Sequence, residues 1–192
     1  MRRAIAACIL GIMVMGAFVV PVRGGSLIGT FDGNATLTPT GTLGVYTQNF
    51  SGDGDDNTYG SFTPSSTSTI DFSNPPNITV TDVMFSAVFT QGSLFGTGSG
   101  SGAGTGHGTA TFTADIVFTG GTGIFLDAMG GMTLTGTLTQ TGPTTIVISD
   151  GSYVGSFSVP EPRPLGMLAP ALVLGSIVVA RGRRPKVTRD RC

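Results

Sequence analysis

Between residues 25 and 158, β-branched and aromatic side chains alternate with small or polar ones. The pattern recurs in Asn34–Thr38, Asn77–Thr81, Thr109–Phe118, Met132–Thr139 and Tyr153–Val159. A period of two bounded by Gly, Asn and Pro is the mark of half-buried antiparallel strands, in which successive side chains point to opposite faces. No helical period of good helix formers interrupts this stretch. The pattern predicts an all-β domain over 25–158, an antiparallel β-barrel or β-sandwich of roughly seven to ten short strands. Two stretches break the alternation of apolar and polar residues and are expected to be loops. One is acidic, Ser51–Asn57; the other, Gly96–Gly108, is so rich in glycine that ordering it costs much backbone entropy and buries no side chain.

The two ends of the chain follow a different rule. Arg2-Arg3 and the apolar run Ala4–Val20 have the charged and hydrophobic regions of a secretory signal, assigned to residues 1–24. Near the other end, Leu165–Ala180 carries no charge, and as a helix it covers roughly 24 Å at about 1.5 Å per residue. That is short of a hydrocarbon core of about 30 Å, but Arg163 and Arg181 flank the run and can snorkel to the headgroups. Arg181, Arg183, Arg184 and the rest of the basic tail over 181–192 bias this end to the cytoplasm. A signal helix and a single transmembrane helix are therefore expected to flank the β domain, with everything before Pro160 outside.

Val159, Pro160, Glu161 and Pro162, followed by the apolar run and the cluster Arg181, Arg183 and Arg184, resemble the PEP-CTERM sorting signal of exopolysaccharide-producing Gram-negative bacteria. The likeness covers residues 159–192. It implies recognition by an exosortase, a membrane enzyme that acts near the Pro-Glu-Pro motif. It also implies transient anchoring in the inner membrane, followed by placement in the envelope or outside the cell. The segment after Arg184 is longer than such tails usually run. The resemblance concerns sorting and says nothing about the cargo.

Without its ends the chain has an unusual charge balance. From Gly25 to Val159 there is no Lys, Arg or Glu, and the ionised side chains are Asp32, Asp53, Asp55, Asp56, Asp71, Asp82, Asp115, Asp127 and Asp150. A uniformly acidic body repels nucleic acid and anionic polysaccharide, so neither is an expected partner. Cys8 and Cys192 both lie in the terminal segments, which leaves the β domain without a disulfide.

Three local patterns bear on chemistry. Asp53, Asp55, Asp56 and Asn57 place alternating oxygens as at the start of a calcium loop, although Thr58 and Pro64 occupy the EF-hand's glycine and glutamate positions. The second is the run Gly120-Gly121-Thr122-Gly123-Ile124-Phe125-Leu126-Asp127-Ala128-Met129-Gly130 with Gly136. It resembles a hairpin of the allene oxide cyclase and dirigent barrels, which implies turn glycines, an inward Phe125 and Ala128, and close strands at Gly136. The third is His107, the single histidine, set in the glycine run with no cysteine or cation near it in sequence. Nucleophilic catalysis needs such a histidine held by a third group.

The expectation is a non-catalytic exported envelope or matrix protein, associated with exopolysaccharide or biofilm and without a cofactor. A calcium- or carbohydrate-binding adhesion module is the alternative, and an aspartate-pair glycoside-active enzyme the third reading.

Overall fold

The structure, a computed structural model, describes residues 22–160. Its strands are β1 (Val22–Pro39), β2 (Val45–Asp56), β3 (Gly60–Asp71), β4 (Asn77–Phe89), β5 (Gly92–Gly106), β6 (Thr109–Gly121), β7 (Met129–Gln140) and β8 (Thr145–Pro160). Each is antiparallel to the next, and β8 returns to β1, so the sheet closes into an up-and-down barrel with no free edge. Each predicted strand falls within one of these elements. Strand length differs from expectation: the strands run from 12 residues in β2 to 18 in β1.

The extra length arises because features that read as ends are bends inside continuous strands. In β4, Ile78 and Val80 face inward, Thr81 and Asp82 are both exposed, and Val83, Phe85, Ala87 and Phe89 then resume the inward face. A bulge there, with Asp82 at φ 54°, shifts the parity of the strand by one. Ser149 and Asp150, the latter at φ 52°, do the same in β8 between the inward pair Ile146 and Ile148 and the inward Tyr153 and Phe157. Aspartate tolerates this left-handed backbone because its short side chain bonds locally.

Both predicted loops are strand. Ser51–Asp56 belongs to β2, and Gly96–Gly106 to β5, with only His107 and Gly108 left as a two-residue turn between β5 and β6. His107 at φ 53° and Gly108 at φ 75° match the doubly positive turn that suits the right-handed twist of a hairpin. In β5 the glycines occupy every inward position from Gly96 to Gly104. Side chains of β6 lean over them, and a Cβ on Gly100 would lie 2.8 Å from that of Ala114. A Cβ on Gly98 would overlap the Asp115 carbonyl oxygen and sit 2.9 Å from Ile116 Cδ1. The run is ordered because its empty inward face is filled by its neighbour.

An interior enclosed by eight strands is only wide enough for side chains, so rings need small residues beside them. The register supplies these directly: Phe31 pairs with Gly54 and Gly151, Phe62 with Gly54, Phe112 with Gly102 and Gly136, Tyr153 with Gly29, and Phe157 with Gly25 and Gly130. The outer face carries Thr, Ser, Asn and Asp at most positions, the reverse of the apolar outer band of a lipid-spanning barrel.

Val22–Gly24 pair with Ser158–Pro160, so the ladder runs past the borders predicted at 24/25 and 158/159. The two ends satisfy each other's backbone groups. The signal helix up to Pro21, Glu161, Pro162, the transmembrane run 165–180 and the tail with Arg181, Arg183 and Arg184 lie outside the described residues. Among the described residues no helix is long and apolar enough to cross a membrane.

Gly98→Ala should therefore destabilise the barrel by about 1–3 kcal/mol, as overpacking does. Gly104→Ala should be neutral or stabilise by about 0.4–1 kcal/mol, because its Cβ would meet nothing closer than 3.5 Å and the unfolded chain loses freedom. Thermal unfolding of the two variants checks this contrast, and a flexible loop would show no difference.

Candidate functional site

The barrel has two unlike ends. The first, the base, holds the starts of β1, β3, β5 and β7 and the end of β8. The connection from β6 to β7 folds inward there through a short 3₁₀ turn, Gly123–Phe125. Gly123 at φ 61°, Asp127 at φ 59° and Gly130 at φ 126° bend it, and it buries Phe125 and Ala128 almost completely. Phe125 meets Tyr59, Phe89 and Phe157 with ring centroids 5.1–5.4 Å apart, mostly edge to face, which seals this end. Gly120, at φ 137°, and Gly121 lead into the connection. A Cβ on Gly121 would lie 2.6 Å from the Phe125 carbonyl oxygen.

Just inside the base lies Asp56, 2 % exposed. The parity of β2 sends Asp53 and Asp55 outward and Asp56 inward. Its Oδ1 accepts the backbone N–H groups of Thr58 and Tyr59 at 2.8 and 2.9 Å, capping the turn to β3. Its Oδ2 accepts the Ile28 N–H at 3.1 Å and the Tyr153 hydroxyl at 2.9 Å. Burial first, and then the hydrogen bond to and charge of Asp56, push the Tyr153 phenol well above the usual tyrosine range. Burial and the same carboxylate also raise Tyr59. Both phenols stay protonated at neutral pH, and every lone-pair direction of Asp56 in use serves the fold. This pair, 97 residues apart in sequence, left no local signal.

The calcium reading named Asp53, Asp55, Asp56 and Asn57 together, and the structure separates them. Asp53 and Asp55 are exposed on the outer face, Asp56 is engaged inside, and the Asn57 backbone N–H donates to Ile28 O in the hairpin turn. Among the described residues no group of three or more His, Cys, Asp or Glu side chains is placed to hold a metal ion. The register instead sets Asp53 directly opposite Asp32, a cross-strand pair of like charges. His107 stands on the β5–β6 turn at the other end of the barrel from the Asp56–Tyr153 pair.

That other end, the mouth, is open. Here Leu37, Tyr46, Phe72, Ile78, Leu138 and Ile146 surround a cavity of about 360 Å³, with Pro75, Pro76, Asn77, Pro143 and Gln140 around them. Tyr46 and Phe72 pack edge to face with centroids 5.9 Å apart. Below it a second, narrower void of about 70 Å³ runs down the axis, where Ser68 donates to Gln48 Oε1 at 3.2 Å. No side chain lining the mouth is ionisable other than Tyr46, and that hydroxyl has no hydrogen-bond partner among the described residues. The sequence reading missed this assembly because its members come from different strands and turns and each looks like ordinary core.

Comparison of the chain with protein-family models, with curated proteins and with solved structures gives no match, so the functional reading rests on its own residues.

Tyr153→Phe removes one of two donors from Asp56 Oδ2 and should cost about 1–3 kcal/mol at pH 7. A phenol raised in the folded state adds stability that is full below the unfolded value of 10.0 and is lost as pH climbs from there toward the folded value. The parent should hold its stability to about pH 10 and fall above it, and the variant should fall less steeply in a chemical-denaturation series. Asp53→Asn relieves the pairing with Asp32 and should stabilise by about 0.2–1 kcal/mol at low ionic strength, less in high salt. A melting temperature raised by millimolar calcium in the parent and not in Asp53→Asn would establish a calcium site at Asp53.

Proposed function

We propose that this chain is an exported, non-catalytic β-barrel protein of the cell envelope or extracellular matrix, sorted through Val159–Pro162 by an exosortase-type membrane enzyme. The observation that carries the reading is the closing ladder, in which Val22 pairs with Pro160. It sets the first and last described residues side by side at the base, which suits a folded body that follows a signal and precedes a sorting motif. The base also bears most of the large apolar side chains left exposed, among them Ile28, Ile124, Leu126, Met129 and Val154, which suits a surface that works close to the inner membrane.

The rest of the outer face supports a life among polysaccharide. Its dense Thr and Ser hydroxyls, as in the directly paired Thr109–Thr139, Thr111–Thr137 and Thr113–Thr135, offer donors and acceptors to a neutral glycan. Its aspartates disfavour an anionic one. Among the described residues no carboxyl group lines the mouth, Asp56 is engaged by the fold, and the facing pair Asp32 and Asp53 stands on the open outer face, which does not suit glycoside hydrolysis by two carboxyl groups about 5–9.5 Å apart flanking a substrate. The rival reading, a binding module, draws support from the mouth cavity.

Intact mass of the form outside the cell tests the proposal. The expected product has lost the N-terminal signal and everything beyond the Pro-Glu-Pro motif, and an exosortase-deficient host should retain the tail. A full-length mass in both hosts would overturn the sorting role.

A further inference from the structure

We infer that the mouth of the barrel is a binding site for a small, uncharged, largely apolar molecule carrying one hydrogen-bonding group. The inference does not depend on how the protein is sorted. It rests on the cavity of about 360 Å³ among Leu37, Tyr46, Phe72, Ile78, Leu138 and Ile146. That volume lies within the range of ligand pockets, whereas the 70 Å³ void beneath it is too small to admit more than a few atoms. An apolar protein cavity of about 150 Å³ takes benzene, so on the same scale this one holds about fourteen non-hydrogen atoms.

The chemistry of the walls sets the class of ligand. Among the described residues no Asp, Glu, His, Lys or Arg lines the cavity, so a charged ligand would lose its hydration without gaining a partner there. The side chains of Tyr46 and Phe72 meet edge to face and offer ring surfaces to a flat apolar body. The Tyr46 hydroxyl, which no group among the described residues engages, is the polar contact that orients it. The opening lies at the opposite end of the barrel from the paired Val22 and Pro160. Leu37, Tyr46, Ile78, Leu138 and Ile146 stand on strands of the closed ladder, and a wall so preformed spends little of its binding energy on ordering.

The test uses the full-length chain in lipid nanodiscs, titrated with 2-naphthol and followed by methyl-resolved NMR. Methyl shifts of Leu37, Ile78, Leu138 and Ile146 should saturate together, while Val88, Val117 and Val154 on the outer face report only lipid partitioning. Anionic 2-naphthoate should bind at least tenfold more weakly. Gln140→Trp, at an exposed position on the rim, should weaken 2-naphthol at least tenfold with the methyl spectrum otherwise retained. Tyr46→Phe should weaken 2-naphthol about fivefold and leave naphthalene unchanged, and it gives the answer if the tryptophan variant does not fold. No saturation at the mouth methyls, or saturation led by the outer valines, would overturn the inference. Equal binding of 2-naphthoate, or indifference to both variants, would do the same.

Discussion

A large ring seated against a glycine of the next strand is the interaction on which this barrel depends. Eight strands closed on themselves leave an interior about one side chain wide, and rings placed opposite other large residues would force the strands apart. Phe31 against Gly54 and Gly151, Phe62 against Gly54, Phe112 against Gly136, Tyr153 against Gly29 and Phe157 against Gly130 resolve that conflict around the wall. Where β5 contributes a whole row of inward glycines, Ile116 and Ala114 of β6 fill the space. Closure of the sheet and packing of the core are therefore one event. Without a disulfide in its described residues, the barrel takes its stability from this fit and from its unbroken backbone ladder.

The same packing makes the two ends different. At the base, rings and the inward-folded β6–β7 connection converge with Asp56 beneath them, and the carboxylate is absorbed by four donors. At the mouth no connection folds inward, Gly44, Gly104 and Gly108 place no bulk on the lining, and Tyr46 and Phe72, neighbours on one side of the wall, pack against each other, so space remains. Val22 and Pro160, where the described strands begin and end, pair at the sealed base.

Much of the architecture was readable from period-two patterning, because Val, Ile, Phe and Thr at alternate positions admit only one way to hide the apolar half. Strand β6 is the clear case: Ala110, Phe112, Ala114, Ile116 and Phe118 against Thr109, Thr111, Thr113, Asp115 and Val117. Strand β5 has an equally strict alternation, but of Gly with Ser, Thr or Ala, and a test based on hydrophobicity does not register it. Its order is supplied by β6, a neighbour only in three dimensions. The predicted segments Asn77–Thr81 and Tyr153–Val159 stop short of the bends at Asp82 and Asp150, since an aspartate that bends a continuous strand breaks its alternation until the partner strand is known.

Function divides along the same line. The sequence by itself determined that the body is all-β, acidic and flanked by apolar ends, because alternation, net charge and unbroken hydrophobic runs are local properties of a chain. It also showed Asp53, Asp55 and Asp56 as one acidic group. Only the tertiary structure decided that a half-turn of strand parity sends two of them to solvent and one to Tyr153, that Asp32 faces Asp53, and that Tyr46, Phe72, Leu138 and Ile146 share one cavity. Those outcomes follow from the register of the closed barrel, which depends on all eight strands at once and is written in no single segment.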